Sequence, residues 1–139
     1  FFRVAYEVIP QIHNSHYSIL PALVMQRVYH SKIQMFQQLE PYRLQSFRFG
    51  RGDAAFNVIA LDGEVLTEYG LRIEERLGTR DAIVLGYSNA VLSYVPTKRA
   101  LVEGGYETTA YRWYRLPGPF KPEIETLIVN AAVRLATPR

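Results

Sequence analysis

The chain has 139 residues, 48% hydrophobic and 21% charged, with a net charge of +3 and no cysteine. That length supports one domain with a real core, burying roughly 65–70% of the surface its unfolded form exposes, and the composition is that of a folded chain. Disulfides and Cys-ligated zinc are excluded, no apolar run approaches the ~20 residues that span a bilayer, and the basic residues, densest at Lys98-Arg99 and at Arg112 and Arg115, are too scattered for a nucleic-acid footprint.

Val4, Tyr6 and Val8 alternate like a strand, which Pro10 ends. Gln11–Ser18 is polar and loop-like. From Ala22 to Leu39 the pattern becomes helical, with Met25, Val28, Tyr29, Phe36 and Leu39 on one face between Pro21 and Pro41. Arg43–Phe49 reads as a strand. Gly50-Arg51-Gly52-Asp53 then supplies a turn, which also discounts the adhesion-like spelling Arg-Gly-Asp. Ala54–Leu61 is apolar at nearly every position, as in a central strand buried on both faces. A helix is expected over 66–77, stopped by Gly78. Asp81–Tyr87 is expected to be a second strand buried on both faces. Thr97 is a plausible N-cap for a short helix to Val102, broken by Gly104-Gly105. Ile124, Leu127, Ile128, Ala131, Ala132 and Leu135 mark the clearest helix, Glu123–Ala136.

The expected class is therefore α/β: a mixed, largely parallel sheet with a βαβ unit (strands about 54–61 and 82–87, helix 66–77) and flanking helices 22–39 and 123–136. The two strands of a βαβ unit run parallel, so their carboxyl ends share one edge of the sheet, where ligands bind in open α/β folds. The loops Asp62-Gly63-Glu64 and Ser88–Tyr94 are thus expected to be neighbours.

Glu64 has two readings: a carboxylate aimed from a strand end as metal ligand or base, or a favourable acid at a helix N-terminus. Asn89 either orients a neighbouring group or closes its turn with an Asx-type bond. Tyr94 is placed to ligate a metal, donate a proton, or pack. His13 and His16 form a pair that needs further ligands to hold zinc, and His30 lies on the long helical stretch. There is no G-x-S-x-G elbow, phosphate loop or dinucleotide fingerprint.

Three ordered segments carry a family resemblance. Leu61–Arg72, containing Gly63-Glu64-Val65-Leu66-Thr67 and Gly70, resembles the Gly-Glu-Phe-Thr region of neutral ceramidases. Gly86–Thr97 is similar to that family's strand end, with Asn89, then Tyr94, then Thr97 at matching intervals. Gly104-Gly105-Tyr106-Glu107 places Tyr106 twelve residues after Tyr94, as in the family. Together they cover about residues 43–108. The resemblance implies that Glu64 and Tyr94 ligate zinc, that Tyr106 stabilises an oxyanion, and that the reaction is hydrolysis of the N-acyl amide of a sphingolipid or related amide lipid by metal-activated water. Counterparts of the family's zinc histidines are missing from residues 1–42. The implied picture is a C-terminal portion of a larger catalytic domain, residues 1–139 forming one α/β unit. Its zinc site would be completed by the remainder of that domain or by a second chain supplying histidines. The start at Phe1-Phe2-Arg3, without a signal-peptide pattern, is in keeping with a processed end or a fragment. Compartment stays open, secreted or periplasmic or cytoplasmic in a bacterium. The alternative is a non-catalytic α/β subunit or interaction module, which predicts an exposed apolar patch.

Overall fold

The computed structural model describes residues 2–9, 42–50, 52–78, 81–91, 93–116 and 118–137, with the backbone only for Phe2–Ile9 and Asp53. The expected helix 22–39 and His13, His16 and His30 lie outside the described residues.

Four strands form the main sheet: β1 (Phe2–Ile9), β2 (Tyr42–Phe49), β3 (Phe56–Leu61) and β5 (Ala82–Leu85), in the order β1-β2-β3-β5. β1 and β2 pair antiparallel, as do β2 and β3, while β3 and β5 are parallel. The sheet is mixed, not largely parallel. The reason lies in the turn: Gly50 (φ 85°) and Gly52 (φ 55°) reverse the chain within a few residues, and strands joined that tightly can only run antiparallel. A second, two-stranded sheet is built from β4 (Glu64–Val65) and β6 (Tyr94–Val95).

The helices are α1 (Thr67–Leu77), α2 (Lys98–Glu103), α3 (Tyr106–Thr109) and α4 (Ile124–Ala136). Gly78 ends α1 in the left-handed conformation, its N–H bonded to the Glu75 carbonyl at 3.2 Å. Thr97 caps α2, its hydroxyl accepting from the Ala100 N–H at 3.2 Å. Glu125 reaches over from α4 to the same helix start, accepting the Lys98 N–H at 2.7 Å and pairing with Arg72 Nε at 2.5 Å. Alternation decides which face of the sheet is inner. Tyr42, Leu44 and Ser46 of β2 and Asn57, Ile59 and Leu61 of β3 are buried; α4 packs over them, and α1 packs over β5 and against α4. The core joins these residues to Tyr69, Ile73, Val95, Phe120, Ile124, Ile128 and Ala132. Leu127, placed on the buried stripe of α4 by its spacing, is instead exposed, and Val129 and Glu125 take the inner side.

β3 is an inner strand, as its apolar run implied. β5 is not buried on both faces: it has one strand neighbour among the described residues, with Ile83 52% and Leu85 45% exposed on the outer face. On that same face Phe56 is 41% exposed. Among the described residues, no membrane-spanning helix occurs, none being long and apolar enough.

Candidate functional site

β3 and β5 run parallel, so both release the chain at one edge of the sheet. The chain beyond β3 makes one tight step at Asp62-Gly63 and enters β4. The chain beyond β5 passes through Gly86–Ser93 and enters β6. β4 and β6 pair in parallel, with Glu64 opposite Tyr94 and Val65 opposite Val95. Backbone hydrogen bonds bind the two loops: Gly63 N–H to Ala90 (2.7 Å), Glu64 N–H to Ser93 (2.8 Å), Tyr87 N–H to Gly63 (2.7 Å) and Ser88 N–H to Leu61 (3.1 Å). The neighbourhood expected from βαβ geometry is present.

This contact dictates a glycine at position 63. With φ 72°, a Cβ there would lie 2.8 Å from both the Ser93 carbonyl oxygen and Val95 Cγ2. Below it, fully buried Asp62 accepts the Arg43 N–H at 2.9 Å and ties the loop to β2. Buried Tyr69 donates to the Pro96 carbonyl at 3.0 Å, fixing α1 to the segment after β6. Burial pushes the Tyr42 and Tyr69 hydroxyls well above the ordinary tyrosine range, so both stay protonated.

Glu64 is half-buried and stands opposite Tyr94 in the β4–β6 pair, and its carboxylate acts on the phenols of both Tyr94 and Tyr87. Hydrogen-bonding interaction with that carboxylate, followed by partial desolvation and its charge, pushes both phenols up to about 12. At neutral pH both phenols beside Glu64 therefore stay protonated. Tyr106, at the start of α3, sets its ring edge-on to Tyr94 with centroids 5.6 Å apart. Tyr114 lies close enough to Tyr87 to influence its ionisation.

The three sequence candidates, Glu64, Tyr94 and Tyr106, therefore meet in space. Glu64 does not serve as the first-turn acid of α1; that place belongs to Glu68, while Glu64 is held in β4. Asn89 is exposed on the same loop. Sequence reasoning missed Tyr87. It follows a glycine at the end of a parallel strand, which places it on the binding edge, and it adopts φ 53°, a conformation rare for a bulky residue and common at functional sites.

Glu64 and Tyr94 are oxygen donors of kinds that bind metals. A catalytic zinc takes three protein ligands and an open position, and among the described residues no group of three His, Cys, Asp or Glu gathers. The described residues do not by themselves fit a catalytic zinc.

No family model matches the sequence, and none of the curated proteins compared with it matches either. Among solved structures, the chain is similar to the neutral ceramidase from Pseudomonas aeruginosa, with a TM-score of 0.47 and 17% identity. The match covers 99% of this chain and 29% of that one, so the chain spans less than a third of that protein's length.

Proposed function

We propose that this chain supplies part of the active site of an amide hydrolase of the neutral ceramidase type, acting on the N-acyl amide of a sphingolipid or a related amide. The observation that carries this reading is the meeting of three side chains at the carboxyl edge of parallel strands: Glu64 lies opposite Tyr94 in the β4–β6 pair, and Tyr106 sets its ring edge-on to Tyr94. The ordered resemblance of residues 61–72, 86–97 and 104–107 to that family supplies the reaction class.

Within this reading Glu64 and Tyr94 are the oxygen ligands that would hold a metal, and a protonated phenol is the donor for the oxygen of a carbonyl under attack. Tyr106, exposed beside Tyr94, is the phenol best placed to meet that oxygen from the solvent side. Zinc belongs to the reading as the expected metal, with Glu64 and Tyr94 as two of its ligands and the remaining ligands coming from outside the described residues. When bound it would acidify a water. The test is release of fatty acid from an N-acyl sphingoid amide, together with zinc content, in the protein that carries this chain. Glu64→Ala and Tyr94→Phe should each lower turnover roughly 10²–10⁴-fold. Full turnover and unchanged metal in both variants would sink the proposal.

One observation favours a second reading, a structural module without chemistry of its own. The outer face of the sheet exposes Ile83, Leu85 and Phe56 together, an apolar surface of the kind that packs against another body. On that reading the Glu64 and Tyr94 variants would leave turnover untouched, while charged substitutions at Ile83 or Leu85 would change the state of association.

A further inference from the structure

Residues 108–122 contain no aspartate or glutamate, three basic residues (Arg112, Arg115, Lys121) and four aromatic ones (Tyr111, Trp113, Tyr114, Phe120). The aromatics divide into two pairs. Phe120 is buried and Tyr111 half-buried, with their rings edge-on at 6.5 Å. The Gly118 backbone lies so close that a Cβ there would sit 2.3 Å from the Tyr111 ring. This pair anchors the segment to the body of the protein.

The other pair faces outward: Trp113 is 76% exposed and Tyr114 43% exposed. Their exposure does not come from an unformed chain. A 3-10 turn at Ala110–Arg112 leads into a closed turn, with Trp113 N–H bonded to Ala110 (2.9 Å), Arg115 N–H to Arg112 (3.2 Å) and Leu116 N–H to Tyr111 (3.0 Å). Arg112 and Arg115, both exposed, flank the Trp-Tyr pair in the chain; Arg112 donates from Nε to the Tyr111 hydroxyl at 3.3 Å and lies over that ring, while Arg115 flanks the other side. A hydrogen-bonded turn that exposes an indole and a phenol and is flanked by arginines matches the chemistry of a membrane interface. Each ring has an apolar body for the acyl boundary and a polar end for the headgroups. Arginine can lay its stem along that boundary and offer its planar fork to phosphate or carboxylate.

We propose that the 110–116 turn is an interfacial anchor that seats this protein on a lipid surface carrying anionic headgroups. Its position aims it at the candidate site. Tyr106, a few residues before the turn, sets its ring edge-on to Tyr94 at 5.6 Å. A surface held by Trp113 would therefore lie beside the Glu64 site. The anchor does not depend on the reaction assigned to Glu64, and it concerns phospholipid headgroups, not the amide that would be cleaved.

Trp113 is the chain's single tryptophan, so its fluorescence reports on the anchor alone. The purified chain is mixed with vesicles of phosphatidylcholine, with and without phosphatidylserine. The expected result is a shift of emission to shorter wavelength and co-sedimentation with the anionic vesicles, both weakened by added salt. Trp113→Ala should reduce co-sedimentation about tenfold, and Arg115→Gln about fivefold, with thermal melts matching the parent. Glu64→Gln should bind vesicles as the parent does, which separates failure of the anchor from failure of the hydrolase reading. An emission maximum unmoved by anionic vesicles would overturn the proposal, as would Trp113→Ala binding at parental strength. An emission shift that appears with protein concentration in the absence of lipid would also overturn it, because the turn would then serve a protein contact.

Discussion

β3 and β5 are built from nearly interchangeable sequences, Val58-Ile59-Ala60-Leu61 and Ala82-Ile83-Val84-Leu85. They run parallel, side by side, and each is followed within two residues by a left-handed residue that steers the chain into the site. Beyond that they differ. β3 lies between two strands and ends at Gly63, a glycine required by the close passage of Ser93 and Val95. β5 has one strand neighbour among the described residues, exposes Ile83 and Leu85, and ends at Tyr87, where the left-handed conformation falls on a bulky side chain. The first exit satisfies the fold. The second runs against local preference, and what it provides is a phenol whose ionisation the Glu64 carboxylate pushes up.

Substitutions can break this comparison. The largest effect is expected for Gly63→Ala, which adds an overlap with the Ser93 carbonyl to the ~1–2 kcal/mol of a left-handed alanine; together these should cost about 3–5 kcal/mol in chemical unfolding. A loss under ~1 kcal/mol would mean that the two loops are not in contact. Ile59→Ala, in the buried face of β3, should cost about 2–5 kcal/mol. Glu125→Ala comes next, at roughly 2–3 kcal/mol, because it strips a charged acceptor from the Lys98 N–H and from Arg72.

Titration sharpens the comparison at Tyr87. Tyr87 and Tyr94 ionise at about 12 against 10 for free tyrosine. Their folded values lie above the unfolded ones, so this stabilisation is complete below pH ~10 and is lost as pH rises through about 12. Glu64→Gln should return both phenols towards 10, seen as near-ultraviolet phenolate absorbance rising earlier in the titration. An unchanged titration curve would show that Glu64 does not act on the two phenols. The smallest effect belongs to Ile83→Thr, expected within ~0.5 kcal/mol of the parent. A loss as large as that of Ile59→Ala would show the outer face of β5 to be covered.

What the sequence disclosed follows from where periodicity and punctuation are unambiguous. Gly78, Thr97 and the 124–135 repeat located helix ends and faces, because caps and stripes are local properties. The meeting of Glu64 and Tyr94 was legible too, since parallel strands must share an edge. The orientation of the sheet was misjudged although the Gly50–Asp53 turn already required an antiparallel pair. β5 was misjudged because an all-apolar tetrapeptide does not record how many neighbours it has. Tyr87 was passed over because tyrosine packs far more often than it works, and its left-handed φ exists only in three dimensions. Glu125 was unreadable for another reason. It occupies a helical position that spacing does not mark as buried, and its partners stand 27 residues away, at Lys98, and on α1, at Arg72.

That last contact bears on the order in which the molecule assembles. α2 has six residues, too few to persist alone in water, and one of its first N–H groups is satisfied from α4. The helix that leads towards Tyr106 should therefore close only after the C-terminal helix has docked. Native-state hydrogen exchange would show it: the Lys98 amide should be protected to the same free energy as the Ile128 amide in the parent, and should open independently in Glu125→Ala. If Lys98 opened independently of Ile128 in the parent as well, assembly of α2 would be local, and the cap from α4 a finishing contact.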